Sequence, residues 1–114
     1  VNRAVVFAYH DVGVRCLSVL LARGVYVELV VTHEDDPKEQ VWFESVAALA
    51  RRHDIPVVTP DSAKDPALAA RIAALAPSFI FSFYYRRMIP ETVLRLAPRG
   101  ALNMHGSLLP RYRG

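Results

Sequence analysis

Ala4-Val5-Val6-Phe7-Ala8-Tyr9 is followed by His10-Asp11-Val12-Gly13, an apolar helical stretch from Val14 to Arg23, Gly24, and a second apolar run from Val25 to Thr32. The first run is short, β-branched and aromatic, with no polar residue alternating into it. That is the pattern of a strand buried on both faces. Between the runs, Leu17, Leu20 and Leu21 fall on one face of a helix, and Gly24 is a C-terminal stop signal. Strand, helix, strand within about thirty residues is a βαβ unit, whose strands run parallel.

The rest of the chain repeats the unit. His33-Glu34-Asp35-Asp36-Pro37 reads as a polar loop, and Glu39 to His53 as a helix with Val46, Leu49 and Ala50 inward. Ile55-Pro56-Val57-Val58 is a short third strand, and Thr59 to Lys64 is a loop. Asp65 and Pro66 sit where an N-cap and a first helical residue belong, which starts a helix running to Ala76. Ser78 to Phe83 is a fourth strand, 84–88 a loop, Pro90 to Leu96 a short helix and Gly100 to His105 a fifth strand, with 106–114 a loop. Strands alternating with helices predict an α/β fold: a Rossmann-like three-layer sandwich with a mainly parallel sheet. A fifth strand with no helix after it would leave part of one sheet face bare. The expectation is therefore a truncated domain, part of a longer protein.

Composition narrows the class. The chain has 114 residues, 53% of them hydrophobic and 22% charged, which suits one globular domain and not a disordered one. No apolar run approaches the roughly 20 residues of a membrane helix. The lone Cys16 cannot form an internal disulfide and reads as a small residue of a helix, in keeping with a cytoplasmic protein. The net charge of +3 draws on Arg86, Arg87, Arg95, Arg99, Arg111 and Arg113, which favours an anionic ligand without choosing one.

In a parallel sheet, ligands bind at the C-terminal strand ends. Tyr9-His10-Asp11, Thr32-His33, Tyr84 to Ile89 and Asn103 to Ser107 all fall there. The first turn holds Gly13 alone and carries bulky Tyr9 and His10, so it lacks the glycine cradle of a dinucleotide site. His10, His33, His53 and His105 show no helical metal spacing, and no metal is expected. His53 reads as a surface residue, His33 as a loop residue with no chemistry, and His10 as a residue that either lines a pocket or serves the fold. Asn103 and His105 are two apart, hence on one face of a strand end. An amide there can donate to a developing oxyanion, and an imidazole can move a proton near neutral pH.

The string Leu102-Asn103-Met104-His105-Gly106-Ser107-Leu108-Leu109-Pro110-Arg111-Tyr112-Arg113-Gly114 resembles the signature of the folate-dependent formyltransferases. Val5 to Asp11, Thr32-His33 and Ile80 to Arg86 look most like one branch. That branch is the formyltransferase half of the bifunctional enzyme of lipid A modification and polymyxin resistance, which also carries a UDP-glucuronic acid decarboxylase. The resemblance implies that residues 1–114 are the N-terminal part of a formyltransferase domain. It implies transfer of a formyl group from 10-formyltetrahydrofolate to the primary amine of UDP-4-amino-4-deoxy-L-arabinose.

Carried over residue by residue, Asn103 matches the transition-state asparagine and His105 the general acid/base. Arg87, Met88 and Ile89 match the loop that contacts 10-formyltetrahydrofolate. The family's aspartate lies past the signature, and no residue here matches it, so this stretch alone is expected to be inactive. The implied partners are a sugar nucleotide and a reduced folate, with no nucleic acid or membrane favoured and a homo-oligomer left open. Two alternatives stand beside this one. The first is a methionyl-tRNA formyltransferase, against which the first turn argues because it lacks a Gly-Thr-Pro-like sequence. The second is a catalytically incomplete folate- or nucleotide-binding fragment.

Overall fold

The computed structural model describes residues 2–38 and 44–104. Five strands and four helices alternate: β1 (Arg3–Ala8), α1 (His10–Ala22), β2 (Tyr26–Val31), α2 (Val46–Arg52), β3 (Val57–Val58), α3 (Pro66–Leu75), β4 (Phe79–Phe83), α4 (Glu91–Leu94) and β5 (Gly100–Met104). All strand pairs are parallel, in the order β3-β2-β1-β4-β5. The expected α/β architecture is therefore the observed one.

β1 is central, and its residues 4–8 are completely buried. Val5 and Phe7 face one cluster, with Leu29, Ile80, Leu68 and Ile72 of α3, and Val93 and Leu94 of α4. Val6 and Ala8 face the other, with Val14 and Leu17 of α1 and Val46, Leu49 and Ala50 of α2. Alternation along one strand thus builds both cores, which is why the segment shows no polar residue. Removing the Phe7 ring would cost about 3–5 kcal/mol.

Helix ends follow local chemistry. Gly24 adopts φ +80°, with the Gly24 N–H donating to the Leu21 carbonyl and the Val25 N–H to that of Leu20. That is a Schellman stop, which the left-handed freedom of glycine permits. Asp65 caps α3 by accepting from the Ala67 N–H at 2.9 Å, with Pro66 next. Two helix starts differ from expectation. α1 begins at His10, not Val14: Tyr9 is extended, and a single left-handed residue, His10 at φ +61°, turns the chain straight into the helix. In α2, Ser45 is the N-cap, its hydroxyl accepting from the Ala48 N–H at 3.0 Å, so residues 44–45 are not helical as the reading from Glu39 required. Residues 39–43 and His105, the last residue of the expected fifth strand, lie outside the described residues.

Gly13 is inside α1, not in a turn. A Cβ built on it would lie 3.1 Å from the Ala8 Cβ, 3.1 Å from a Val46 methyl and 3.2 Å from the Ala8 carbonyl carbon. The backbone of β1 cannot yield, so glycine here lets α1 lie close on the sheet. Gly13→Ala would gain about 1 kcal/mol in helix propensity and lose about 1–3 kcal/mol to overpacking. The expected net is destabilisation by about 1 kcal/mol, read as a lower urea midpoint at unchanged m-value; an unchanged or higher midpoint would contradict the close contact.

Candidate functional site

The chain reverses its direction of travel across the sheet between β1 and β4, since β2 and β3 lie on one side of β1 and β4 and β5 on the other. The two strands stay paired to their last rung, where the Tyr9 N–H donates to the Phe83 carbonyl at 3.1 Å. Past that rung they diverge. Among described residues other than glycine, four have positive φ. Asp54 and Ala76 follow helices, where such geometry is ordinary. His10 (φ +61°) and Tyr84 (φ +62°) instead sit at the divergence, one after each strand. Their ring centroids are 6.0 Å apart. Each costs on the order of 1–3 kcal/mol, and strain of this kind gathers where a site has to be shaped.

Around them is an aromatic and basic cluster. His33 stacks on Tyr85 with centroids 4.2 Å apart and planes at 15°. Tyr9 meets His33 edge-on at 5.0 Å, and the Arg86 guanidinium lies over the Tyr9 ring at 4.8 Å. The Arg86 backbone N–H donates to His33 Nε2 at 3.0 Å. His33 was read as a loop residue with no chemistry; it does lie in the loop after β2, and its contacts with Tyr85 and Arg86 were not part of that reading. No local signal reports a contact 53 residues away in the chain.

Beside the cluster, a cavity of about 290 Å³ opens between the ends of β4 and β5, lined by Ser82, Tyr85, Arg86, Arg87, Met88, Ile89 and Asn103. The sheet register explains the set. Ser82 pairs with Asn103, as Ile80 pairs with Ala101 two residues earlier. Ile80 and Ala101 belong to the core under α3 and α4, so alternation aims Ser82 and Asn103 at that same face, beyond the last apolar layer. Ile89 is buried at the cavity, whereas the Met88 side chain is 77% exposed. Arg87 is tethered through Nη1 to the Pro60 carbonyl at 2.9 Å. Arg87, Met88, Ile89 and Asn103 therefore share one cavity, while His105 lies outside the described residues. Ser82 was missed, although a lone hydroxyl in Phe79-Ile80-Phe81-Ser82-Phe83 was a readable signal. A buried hydroxyl in an apolar strand costs free energy unless something hydrogen-bonds to it.

A second cavity, of about 240 Å³, lies on the other side of the divergence, lined by Tyr9, His10, Asp35, Asp36, Pro37, Glu44, Ser45 and Val46. His10 is thus a pocket residue. His53 is exposed, and Cys16 is half-buried against the α1 side of the core, both as read. Among the described residues no helix is long and apolar enough to cross a membrane.

The family model described as formyl transferase matches residues 11–114 of this chain. Among solved structures, the chain resembles the crystal structure of glycinamide ribonucleotide transformylase 1 from Symbiobacterium toebii, with a TM-score of 0.68 and 23% sequence identity. The match covers 99% of this chain and 55% of that one, so the chain spans about half the length of the solved protein. At this identity the structural likeness speaks for the fold.

Tyr85 gives the cavity wall a titration signature. It is 3% exposed, and no hydrogen bond of ordinary geometry satisfies its hydroxyl among the described residues. Burial pushes its pKa above the usual tyrosine value, with the nearby Arg87 guanidinium opposing in part. A raised pKa means that the folded state favours the neutral phenol. Its contribution to stability is intact below about pH 10 and is lost as pH rises through the folded-state pKa. The expected result is one late-titrating tyrosine in absorbance at 295 nm, absent from Tyr85→Phe; a spectrum unchanged by that substitution would contradict the burial.

Proposed function

The chain belongs to the formyl transferase family, and on that premise we propose that it binds the formyl donor and supplies the chemical groups of a folate-dependent N-formyltransferase acting on a sugar nucleotide. The observation that carries the proposal is the cavity between β4 and β5. It gathers Asn103, the loop residues Arg87, Met88 and Ile89, and the aromatic wall of Tyr85. An exposed thioether, a buried isoleucine and a buried phenol suit a flat bicyclic ring, while Asn103 and Ser82 supply polar edges. The donor is 10-formyltetrahydrofolate, which brings an activated formyl group on N10.

The acceptor we favour is UDP-4-amino-4-deoxy-L-arabinose. Support comes from the strings Val5 to Asp11, Thr32-His33 and Ile80 to Arg86. They are far apart in sequence, yet their Tyr9, His10, His33, Tyr84, Tyr85 and Arg86 meet in one cluster beside the cavity. An arginine among aromatic rings is suited to an anionic, partly apolar ligand such as a nucleotide.

In the proposed reaction the neutral amine attacks the formyl carbon. A C–N bond to the acceptor forms as the bond from the formyl carbon to N10 breaks. The Asn103 side-chain amide donates to the formyl oxygen as negative charge gathers there. His105 takes the proton released by the acceptor nitrogen and returns it to N10. An imidazole can both accept and return a proton, so one side chain serves both halves of that transfer.

In the protein encoded by the full reading frame, Asn103→Ala is expected to lower kcat about 100- to 1,000-fold. His105→Ala is expected to lower it about 100- to 10,000-fold. Formylation of the amino sugar nucleotide, followed by chromatography, checks both, with initiator methionyl-tRNA as the competing acceptor. Wild-type turnover by both variants would remove the assignment of these residues. Turnover of the tRNA alone would move the acceptor to nucleic acid.

A further inference from the structure

We infer that His33 is a positioning residue for the donor cavity, a latch that ties the loop after β4 to the end of β2. The inference rests on the donor-site reading for the identity of the ligand.

His33 stands on a firm base. It follows Thr32, which is buried and whose N–H donates to the Val58 carbonyl at 3.0 Å, so the end of β2 is held by β3. From there the imidazole reaches the loop in two ways. Its face covers the Tyr85 ring at 4.2 Å, and its Nε2 accepts from the Arg86 backbone N–H at 3.0 Å. A nitrogen that accepts carries no proton, so this geometry requires a neutral ring protonated on Nδ1. Tyr85 is in turn pinned from below, edge-on to Phe7 at 5.1 Å. The stack therefore runs from the central strand through Tyr85 to His33.

The loop has reason to need holding. It begins at Tyr84, in the left-handed conformation at φ +62°, and it carries Tyr85 to Ile89, most of the cavity lining. Backbone held in a sparsely populated region persists only where its surroundings over-determine it. Side-chain hydrogen bonds to the described residues contribute to that restraint: His33 ties the loop to β2, and Arg87 ties it to Pro60 after β3. The His33 tie acts on backbone directly beside the cavity-lining residues. Its loss would let Tyr84 relax and shift Tyr85, Met88 and Ile89 together.

Two substitutions separate the parts of the latch. His33→Phe keeps a ring over Tyr85 and removes the acceptor, whereas His33→Gln restores an acceptor near the Nε2 position without the ring. The loss of this one hydrogen bond, which lies at an exposed position, corresponds to about a 2- to 10-fold change in affinity. In His33→Phe, KM for the formyl donor and the dissociation constant of a 10-formyl-dideazafolate are expected to rise by that factor. His33→Gln should recover part of the affinity. Thermal melting reports whether each variant folds. Long-range ¹H–¹⁵N spectra of the ligand-free wild type should show Nε2 unprotonated. Amide exchange at Arg86 should be faster in His33→Phe than in wild type or His33→Gln.

Unchanged donor affinity and unchanged Arg86 exchange in a folded His33→Phe would overturn the inference, as would a protonated Nε2 in the neutral ring. A wild type that binds no dideazafolate would overturn the donor-site reading, and with it the purpose assigned to the latch. The Arg86 exchange data distinguish that failure from a failure of the His33 contact itself.

Discussion

Burial of β1 on both faces is the constraint from which the rest of the molecule follows. A strand covered above and below has to satisfy its backbone sideways, and here β2 and β4 do so in parallel register. Two strand neighbours from different parts of the chain put the reversal of strand order at β1 itself. The C-terminal ends of β1 and β4 then part company at one place, with the Tyr9 N–H on the Phe83 carbonyl as the last shared bond. The two cavities described above lie on either side of that divergence.

The divergence carries unusual side chains for a tight strand-to-helix turn. Where a dinucleotide fold places glycines, this chain has Tyr9 and His10, and His10 takes the left-handed conformation that glycine would adopt freely. The bulk is used: Tyr9, His33, Tyr85 and the Arg86 guanidinium pack on one another. The same packing separates the cavity of Ser82 and Asn103 from that of Asp35 and Ser45. Glycine is kept for Gly13, where closeness between α1 and β1 is needed instead of backbone freedom.

What was legible in the sequence was whatever leaves a local mark. β1 was readable because full burial excludes polar residues from its positions 4–8. The stop of α1 at Gly24 and the start of α3 at Asp65-Pro66 were readable because each requires specific residue types. The start of α1 left no such mark: its N-cap, Tyr9, makes no side-chain cap bond, so apolar periodicity alone placed the helix four residues late. α2 was placed early for the opposite reason, since Ser45 caps it inside a stretch that reads as continuously helical. For the site, the pairing of Asn103 with the 87–89 loop came from resemblance, and the register of β4 on β5 supplies a physical reason for their proximity. His33 was not legible, because its partners are brought to it only by the β2-β1-β4 order of the sheet.

The central claim is that the cavity between β4 and β5 receives the formyl donor. Titration of the ¹⁵N-labelled chain with 10-formyl-dideazafolate, followed by amide chemical shifts, tests it most directly. The account predicts perturbations concentrated at Ser82, at Tyr85 to Ile89 and at Asn103, with Asp35, Asp36 and Ser45 little affected. Perturbations centred on Asp35 to Val46, or none at millimolar ligand, would contradict it.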